Sequence, residues 1–448
     1  MNWQTFLTEQ REAFVAAHPR SRDLADQGRA AWRGGVPMHW MRDWASPFPL
    51  YVEHAKGARL TDADGISYDD FCLGDTPSMF GHARPELHRA LAEQAGEGVG
   101  FMLPTRWSNR AGDLLAERFG PYGLTQWQVA TTASDANRAA IRWARAVTQR
   151  PNILVFDGCY HGMVEDAFVT LQGDQPRNKP GLIGQVHDLT RTTTVIPFND
   201  LAALEAALKT GEIAAVLAEP VMTNCGMILP DDGFNDAMRR LTRRYGSLLV
   251  LDETHTLSSG PAGYVGLHNL RPDMLVIGKA IAGGVPAAVW GVTAEIAARM
   301  DDAQLRAGAG SSGIGTTLSG NALAMRAIAV MLDEVITKDA YTHMLRGAER
   351  LVAGLRRVIA GTGVAWSVVH VGARAELIFA NNPPRDAASM RAVLDHDALD
   401  AYHLYLINQG VLIAPFHNMM LISPQTHDDA IDRLIEATKA FADIWICL

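Results

Sequence analysis

The chain holds only six lysines, Lys56, Lys179, Lys209, Lys279, Lys338 and Lys439. Five have polar or glycine neighbours and are expected to point to solvent. Lys279 differs, because the apolar run MLVIG precedes it and the apolar glycine loop AIAGGVP follows. Such a residue is either a lysine snorkelling from a strand end or a desolvated amine of lowered pKa, suited to Schiff-base chemistry. Asp252 decides between the two. It ends the apolar run SLLVLD, and a carboxylate at the tip of a buried parallel strand lies at the ligand-binding edge of a sheet. An imine-forming amine and a buried carboxylate can together hold an aldehyde and keep a pyridine nitrogen protonated.

These residues need strands to carry them. The centre of the chain shows short apolar runs: QVATT (128–132), ILVFDG (153–158), AAVLAEP (214–220), SLLVLDE (247–253), MLVIGK (274–279) and AAVWGVT (287–293). They do not alternate, so strands buried on both faces are expected. From Asp135 to Thr148, Ala136, Ala139, Trp143 and Val147 recur at helical spacing. Strands alternating with helices imply an α/β core with a mostly parallel sheet. Thr132, Ala133 and Ser134 stand where strand gives way to helix, and small residues there present free N–H groups to an anion. An ordinary N-cap by Ser134 or Asp135 is the commoner use of such residues. FDGCYHG (156–162) places Tyr160 and His161 in a loop after the next strand, where Tyr160 could stack on a ring. Amine, carboxylate, anion cradle and aromatic ring are the needs of pyridoxal 5'-phosphate.

Composition narrows the class. The net charge is −9, with 40 basic and 49 acidic side chains, which argues against a nucleic-acid or anionic-membrane binder. Hydrophobic residues at 48% suit a globular chain of two or three domains. Cys72, Cys159, Cys225 and Cys447 form no CxxC pair, so neither a zinc ribbon nor a disulfide framework is expected. No metal is expected: none of the fifteen histidines falls in an HExxH pattern. The N-terminus lacks the basic start and apolar run of a signal peptide. Met274–Thr293 could pass for a membrane span, but Lys279 near its middle would be costly in lipid. A soluble, cytoplasmic protein is expected. Residues 308–313 read GAGSSG, a literal GxGxxG, yet they follow the polar stretch ARMDDAQLRA and not a strand. A loop at the active-site entrance is expected there.

The quoted motifs, in this order, resemble those of the class III pyridoxal-phosphate aminotransferases of fold type I, nearest the glutamate-1-semialdehyde aminomutase branch. The resemblance runs from about Gly34 onward. It covers GGV (34–36), LTDADGISYDDF (60–71), GHARP (81–85), TTASDAN (131–137), FDGCYHG, AEPV (218–221), LDE (251–253), GKAIAGGVP (278–286) and TTLSGNALAM (316–325). It implies an α/β fold with a large domain around a mostly parallel sheet and a smaller α+β domain built from both chain ends. The expected boundaries are an N-terminal helix and arm over 1–60, the large domain over 61–325 and the small domain over 326–448. By the same resemblance Lys279 is the Schiff-base lysine and proton shuttle, and Asp252 pairs with the pyridine nitrogen. Thr132, Ala133 and Ser134 hold the phosphate, and Tyr160 stacks on the ring. His161 and Glu219 lie beside the cofactor. Thr317 reaches the cofactor of a neighbouring subunit, so a homodimer is implied.

The departures are specific. TASDA stands where the family reads SGTEA, and the SDAN form also resembles some racemases and epimerases of the same fold. After Asp-Glu the family has Val and often Gln, whereas here Thr254 is expected under the ring and His255 near the ring hydroxyl. The stretch HNMMLISP (417–424) has methionines where many relatives carry a carboxylate-binding arginine. The arm reads GGVPMHWMRDW (34–44), with Met41 near the aminomutase arginine and Arg42 beside it. Trp40, Trp44, Met419 and Met420 would suit an apolar or aromatic amine, or would simply pack the arm. The expected activity is amino-group transfer between an amine or amino acid and a keto acid or aldehyde by a ping-pong mechanism. An aminomutase or racemase is the alternative.

Overall fold

The structure is a computed structural model that describes residues 3–447. The chain forms two compact units. The larger spans Pro85–Lys338 and Pro384–Ala392. Its centre is a seven-stranded sheet: β1 (Leu124–Ala130), β2 (Asn152–Phe156), β3 (Thr193–Ile196), β4 (Ile213–Ala218), β5 (Leu248–Asp252), β6 (Met274–Ile277) and β7 (Ala288–Thr293). The strand order is β1-β7-β6-β5-β4-β2-β3. Neighbours from β3 to β6 pair in parallel, and β7 alone runs against both β6 and β1.

Every residue of β4, β5 and β6 is buried, as expected of unalternating runs in the middle of a sheet covered by helices. The expectation fails for β1. It is an edge strand, and Gln128, the first residue of the expected run, lies exposed on it, with Val129 half-buried. The segment Met274–Thr293 is β6, a ten-residue link with a 3-10 turn over Lys279–Ala282, and β7, and no helix among the described residues is long and apolar enough to cross a membrane.

The helix Ala133–Thr148 begins two residues before the expected Asp135. Thr132 sits extended ahead of it, and its hydroxyl accepts the Asp135 amide at 3.2 Å, so Thr132 is the cap. The helix ends at Gln149 in the left-handed conformation. Its buried face includes Ala136, Asn137, Ala140 and Ala144, side chains short enough for close approach to the sheet. The expected helix Ala322–Val335 is α-helical to Val330, then widens to a π-turn, Met331–Val335, closed by Ile336 N–H donating to Met331 at 2.7 Å.

The other unit comprises the chain up to Arg84, Asp339–Pro383 and the chain from Val393 on. Its first sheet is an antiparallel meander of Val52–Lys56, Arg59–Asp62 and Ser67–Asp70, to which Val411–Leu412 adds in parallel. Early and late chain thus share one sheet in this unit. A second sheet pairs Ser367–Val371, Arg374–Ile378 and Met419–Leu421, all antiparallel. Phe14, Tyr68, Leu404, Ile407 and Leu412 form a buried cluster that joins both chain ends.

One close approach in the larger unit sets where Lys279 stands. A Cβ at Gly278 would lie 2.8 Å from Ala133 Cβ, so only glycine lets the end of β6 meet the start of the 133–148 helix. Gly278→Ala is expected to destabilise the protein by about 1–3 kcal/mol in thermal or urea unfolding, as overpacking does. Gly112→Ala, inside the Arg106–Phe119 helix with open space around it, is the matched control and is expected to stabilise by about 0.5–1 kcal/mol.

Candidate active site

The C-terminal ends of the parallel strands bring the expected residues together. Asp252 ends β5 and is buried. Its Oδ2 accepts the Asn137 amide at 2.8 Å and lies 3.0 Å from His161 Nδ1, while its Oδ1 accepts the Thr254 amide at 3.1 Å. Burial alone would raise this carboxyl, but these hydrogen bonds and the imidazolium charge hold it down to about 2. Burial alone would lower His161, but its bond to Asp252 and the neighbouring Cys159 raise it to about 10. The pair is therefore carboxylate and imidazolium at neutral pH. His161 backs Asp252 from within the protein.

Lys279 follows β6 in the left-handed conformation, at φ 47°. Non-glycine residues seldom adopt it. Its Nζ lies 2.6 Å from His255 Nε2. On the far side of that ring, His255 Nδ1 meets Thr223 Oγ1 at 2.5 Å, and Thr223 donates on to Glu219 Oε2 at 2.7 Å. Glu219 is buried just beyond the end of β4, and burial pushes its carboxyl up. Thr254 Oγ1 accepts the Gly278 amide at 3.2 Å, which ties the Asp252 turn to the Lys279 turn.

The helix N-terminus completes the edge. Thr132 is occupied as the cap, which leaves the amides of Ala133 and Ser134 ahead of the first helical bond. Ser134 Oγ accepts the Met163 amide at 2.9 Å. A Cβ at Gly162, whose φ is 75°, would lie 2.0 Å from Ser134 Oγ, so glycine is required where this loop crosses the helix start. Tyr160 is held by its amide to Glu219 Oε1 at 3.4 Å, and its ring is half exposed. Thr317 is exposed on the irregular segment 308–321; it is Thr316 that touches the end of β1, through Thr131 Oγ1 at 3.1 Å.

The proposed substrate residues lie in the other unit. Trp40, Met41 and Trp44 line a cavity of about 480 Å³ walled by Pro49, Leu50 and Leu60. Arg42 is exposed, and its guanidinium lies over Gly34, 2.7 Å from where a Cβ would be. Met419 and Met420 are fully buried in the sheet strand Met419–Leu421 and do not line that cavity; Met419 Sδ accepts from Arg374 at 3.4 Å. Lys179, expected in solvent, is half-buried and donates to the Cys159 carbonyl at 2.6 Å. Two functional residues escaped the sequence reading. Asn137 had a signal, an amide on the apolar face of the 133–148 helix, since buried polar groups need partners. Thr223 had none, because a threonine in a loop is unremarkable.

The Asp252–His161 pair has a pH signature. The contribution of raised His161 is complete below about pH 6.5 and is lost as the pH climbs through about 10. The contribution of lowered Asp252 is complete above about pH 3.9 and is lost as the pH falls through about 2. His161→Leu strands a buried carboxylate and is expected to destabilise by about 3–5 kcal/mol at pH 6. In urea unfolding the gap to wild type should narrow by pH 10. A gap independent of pH would show that the imidazole carries no charge.

Residues 40–441 match the model of the aminotransferase class-III family. A glutamate-1-semialdehyde aminomutase structure from Pseudomonas aeruginosa PAO1 is similar, at 42% identity and TM-score 0.95, over 98% of this chain and 97% of that one. A glutamate-1-semialdehyde 2,1-aminomutase from Anaeromyxobacter sp. (strain Fw109-5) is 34% identical over 88% of this chain and 91% of its own length. A β-phenylalanine aminotransferase from Variovorax paradoxus is 26% identical with TM-score 0.88, over 100% of this chain and 99% of that one. With the fold, the motif order and these matches in agreement, the chain belongs to the class III aminotransferases, on the fold-type-I architecture.

Proposed function

We propose that the protein is a pyridoxal-phosphate-dependent enzyme that shifts an amino group within one small substrate, as an aminomutase does. One observation carries the chemistry: the Lys279 amine and the buried Asp252 carboxyl share the C-terminal edge of the sheet with a helix N-terminus. The residues fit the cofactor. The amides of Ala133 and Ser134 suit its phosphate, Tyr160 its ring face, Asp252 its ring nitrogen and Lys279 its aldehyde. When bound, the cofactor supplies an aldehyde for the amino group and a cationic ring that draws electrons from the reacting carbon.

The protein's own part is to hold charge and move protons. Asp252, kept ionised by His161 and Asn137, holds a proton on the pyridine nitrogen. Lys279 Nζ takes the proton from the substrate carbon that bears the amino group and returns it at the neighbouring position. The intramolecular shift is supported by relatives at 34% and 42% identity that are named aminomutases. Exchange with a separate keto acid is the second reading, supported by the likeness to a β-phenylalanine aminotransferase at 26% identity. In either reading we place the chain in a homodimer, with Thr317 directed at the cofactor phosphate of the second copy.

Two measurements test this. Lys279→Ala is expected to lose the visible absorbance of the cofactor-loaded protein; an unchanged spectrum would refute the role of Lys279. A panel of amino compounds that includes glutamate-1-semialdehyde, supplied without any keto acid, separates the readings. An aminomutase turns over many times under those conditions, whereas a transaminase stops after one equivalent.

A further inference from the structure

We propose, given Lys279 as the reacting amine, that His255 is its proton relay, coupled through Thr223 to the buried carboxylate of Glu219. Four side chains stand in line, with contacts of 2.6 Å from Lys279 Nζ to His255 Nε2, 2.5 Å from His255 Nδ1 to Thr223 Oγ1 and 2.7 Å from Thr223 Oγ1 to Glu219 Oε2. His255, Thr223 and Glu219 are all buried.

Counting protons fixes the direction of each bond. Glu219 Oε1 accepts the Tyr160 amide, and Oε2 accepts both the Thr223 amide, at 3.2 Å, and the Thr223 hydroxyl. A carboxyl that receives donors on both oxygens is placed as a carboxylate acceptor. Thr223 has one O–H, and it points to Glu219. The contact between Thr223 and His255 must then use the imidazole Nδ1–H as donor. His255 is the Nδ1–H tautomer, and its bare Nε2 faces the Lys279 amine.

That tautomer can accept a proton from the Lys279 ammonium. Nε2 takes a proton from Nζ, Nδ1 gives its own to Thr223 Oγ1, and Thr223 passes its hydroxyl proton to Glu219. Lys279 ends as a neutral amine and Glu219 as a carboxylic acid, with no proton lost or gained in sum. Burial favours the uncharged form of Glu219, so it is a ready proton store. A neutral amine is the form that condenses with a carbonyl or takes a proton from carbon. Two further groups act on Glu219: His161 favours its charged form, and the Asp252 carboxylate joins burial in opposing it. Asp252 is paired with His161, and Glu253 accepts the amides of Tyr264 and Val265 and the Thr256 hydroxyl.

The test needs no turnover. In the full chain labelled with 15N-histidine, the His255 resonances are those lost in His255→Gln. Wild type and Thr223→Ser are expected to show Nδ1 protonated and Nε2 bare, and Thr223→Val is expected to release the tautomer. A wild-type ring protonated on Nε2 would overturn the assignment. In the cofactor-free full chain at pH 7, reductive methylation of Lys279 by formaldehyde and cyanoborohydride is read by peptide mass. It is expected to slow about tenfold in Thr223→Val, the equivalent of one pKa unit at the amine, and to be retained in Thr223→Ser. Equal rates in all three proteins would overturn the relay. Failure of the amino-transfer reading shows separately, as visible absorbance that persists in Lys279→Ala.

Discussion

A charged carboxylate at the inner end of a central strand is the constraint around which the larger unit is organised. Leaving Asp252 ionised and buried without partners would cost several kcal/mol. The compensation comes from two other segments, Asn137 on the 133–148 helix and His161 in the loop after β2. That loop must hold still to keep an imidazolium in place, and it is fastened along its length. Asp157, at its start, accepts Thr170 Oγ1 and the Leu171 amide and pairs with Arg391 at 2.6 Å. Lys179 holds the Cys159 carbonyl, Glu219 holds the Tyr160 amide and Ser134 holds the Met163 amide. Arg391 lies in Pro384–Ala392, the short excursion of late chain into the larger unit. The same excursion packs Ala387 at Gly158, where a Cβ would lie 2.7 Å away. A segment distant in sequence thus serves the charge on Asp252 by anchoring its counter-ion's loop.

Three buried carboxylates lie within one sheet edge and are given different work by their surroundings. Asp252 and Glu253 are adjacent, so their side chains leave the strand end on opposite sides. Asp252 meets a cation and stays ionised. Glu253 meets neutral donors, the amides of Tyr264 and Val265, and burial pushes it up to about 7. It fastens the turn at Gly263, where φ is 63° and a Cβ would fall 2.3 Å from its Oε2. Glu219 meets a hydroxyl that leads back to Lys279. Carboxyl groups of similar chemistry thus become a charge, a fastener and a proton store according to what faces them.

Much of this was legible in the sequence where burial and chemistry coincide. Lys279 and Asp252 stand out because a charged residue at the end of an unbroken apolar run demands a partner. The parallel sheet was legible for the same reason, through β4, β5 and β6. Legibility failed where a residue's environment is made by distant chain. QVATT reads as a buried strand, but only the sheet order makes it an edge. Lys179 reads as a surface lysine, but a carbonyl from residue 159 lies above it. Residues 61–70 read as the start of the larger domain, but the strand Ser67–Asp70 pairs with Val411–Leu412 of the late chain. Thr223 acquires a role only because β4 and β5 are neighbours, which sets its hydroxyl beside the ring of His255.

The methionines at 419 and 420 show how a local substitution can mislead. Read along the chain, they replace an arginine with apolar surface and suggest an apolar substrate. In the sheet they have no surface at all. Met419 pairs with Glu376 and Leu421 with Arg374 on the adjacent strand, and the arginine of this sheet is Arg374. It is among the largest fully buried side chains of the described residues, and its guanidinium donates to Thr76 and to Met419 Sδ. Two residues on, Glu376 lies 3.0 Å from His417 Nδ1, and although burial opposes a charge there, the carboxylate raises the imidazole. The positive charge of this sheet is therefore present but turned inward, as a structural cation. Side chains of this unit that do have open surface stand on the arm, with Trp40 about half exposed beside the cavity it lines.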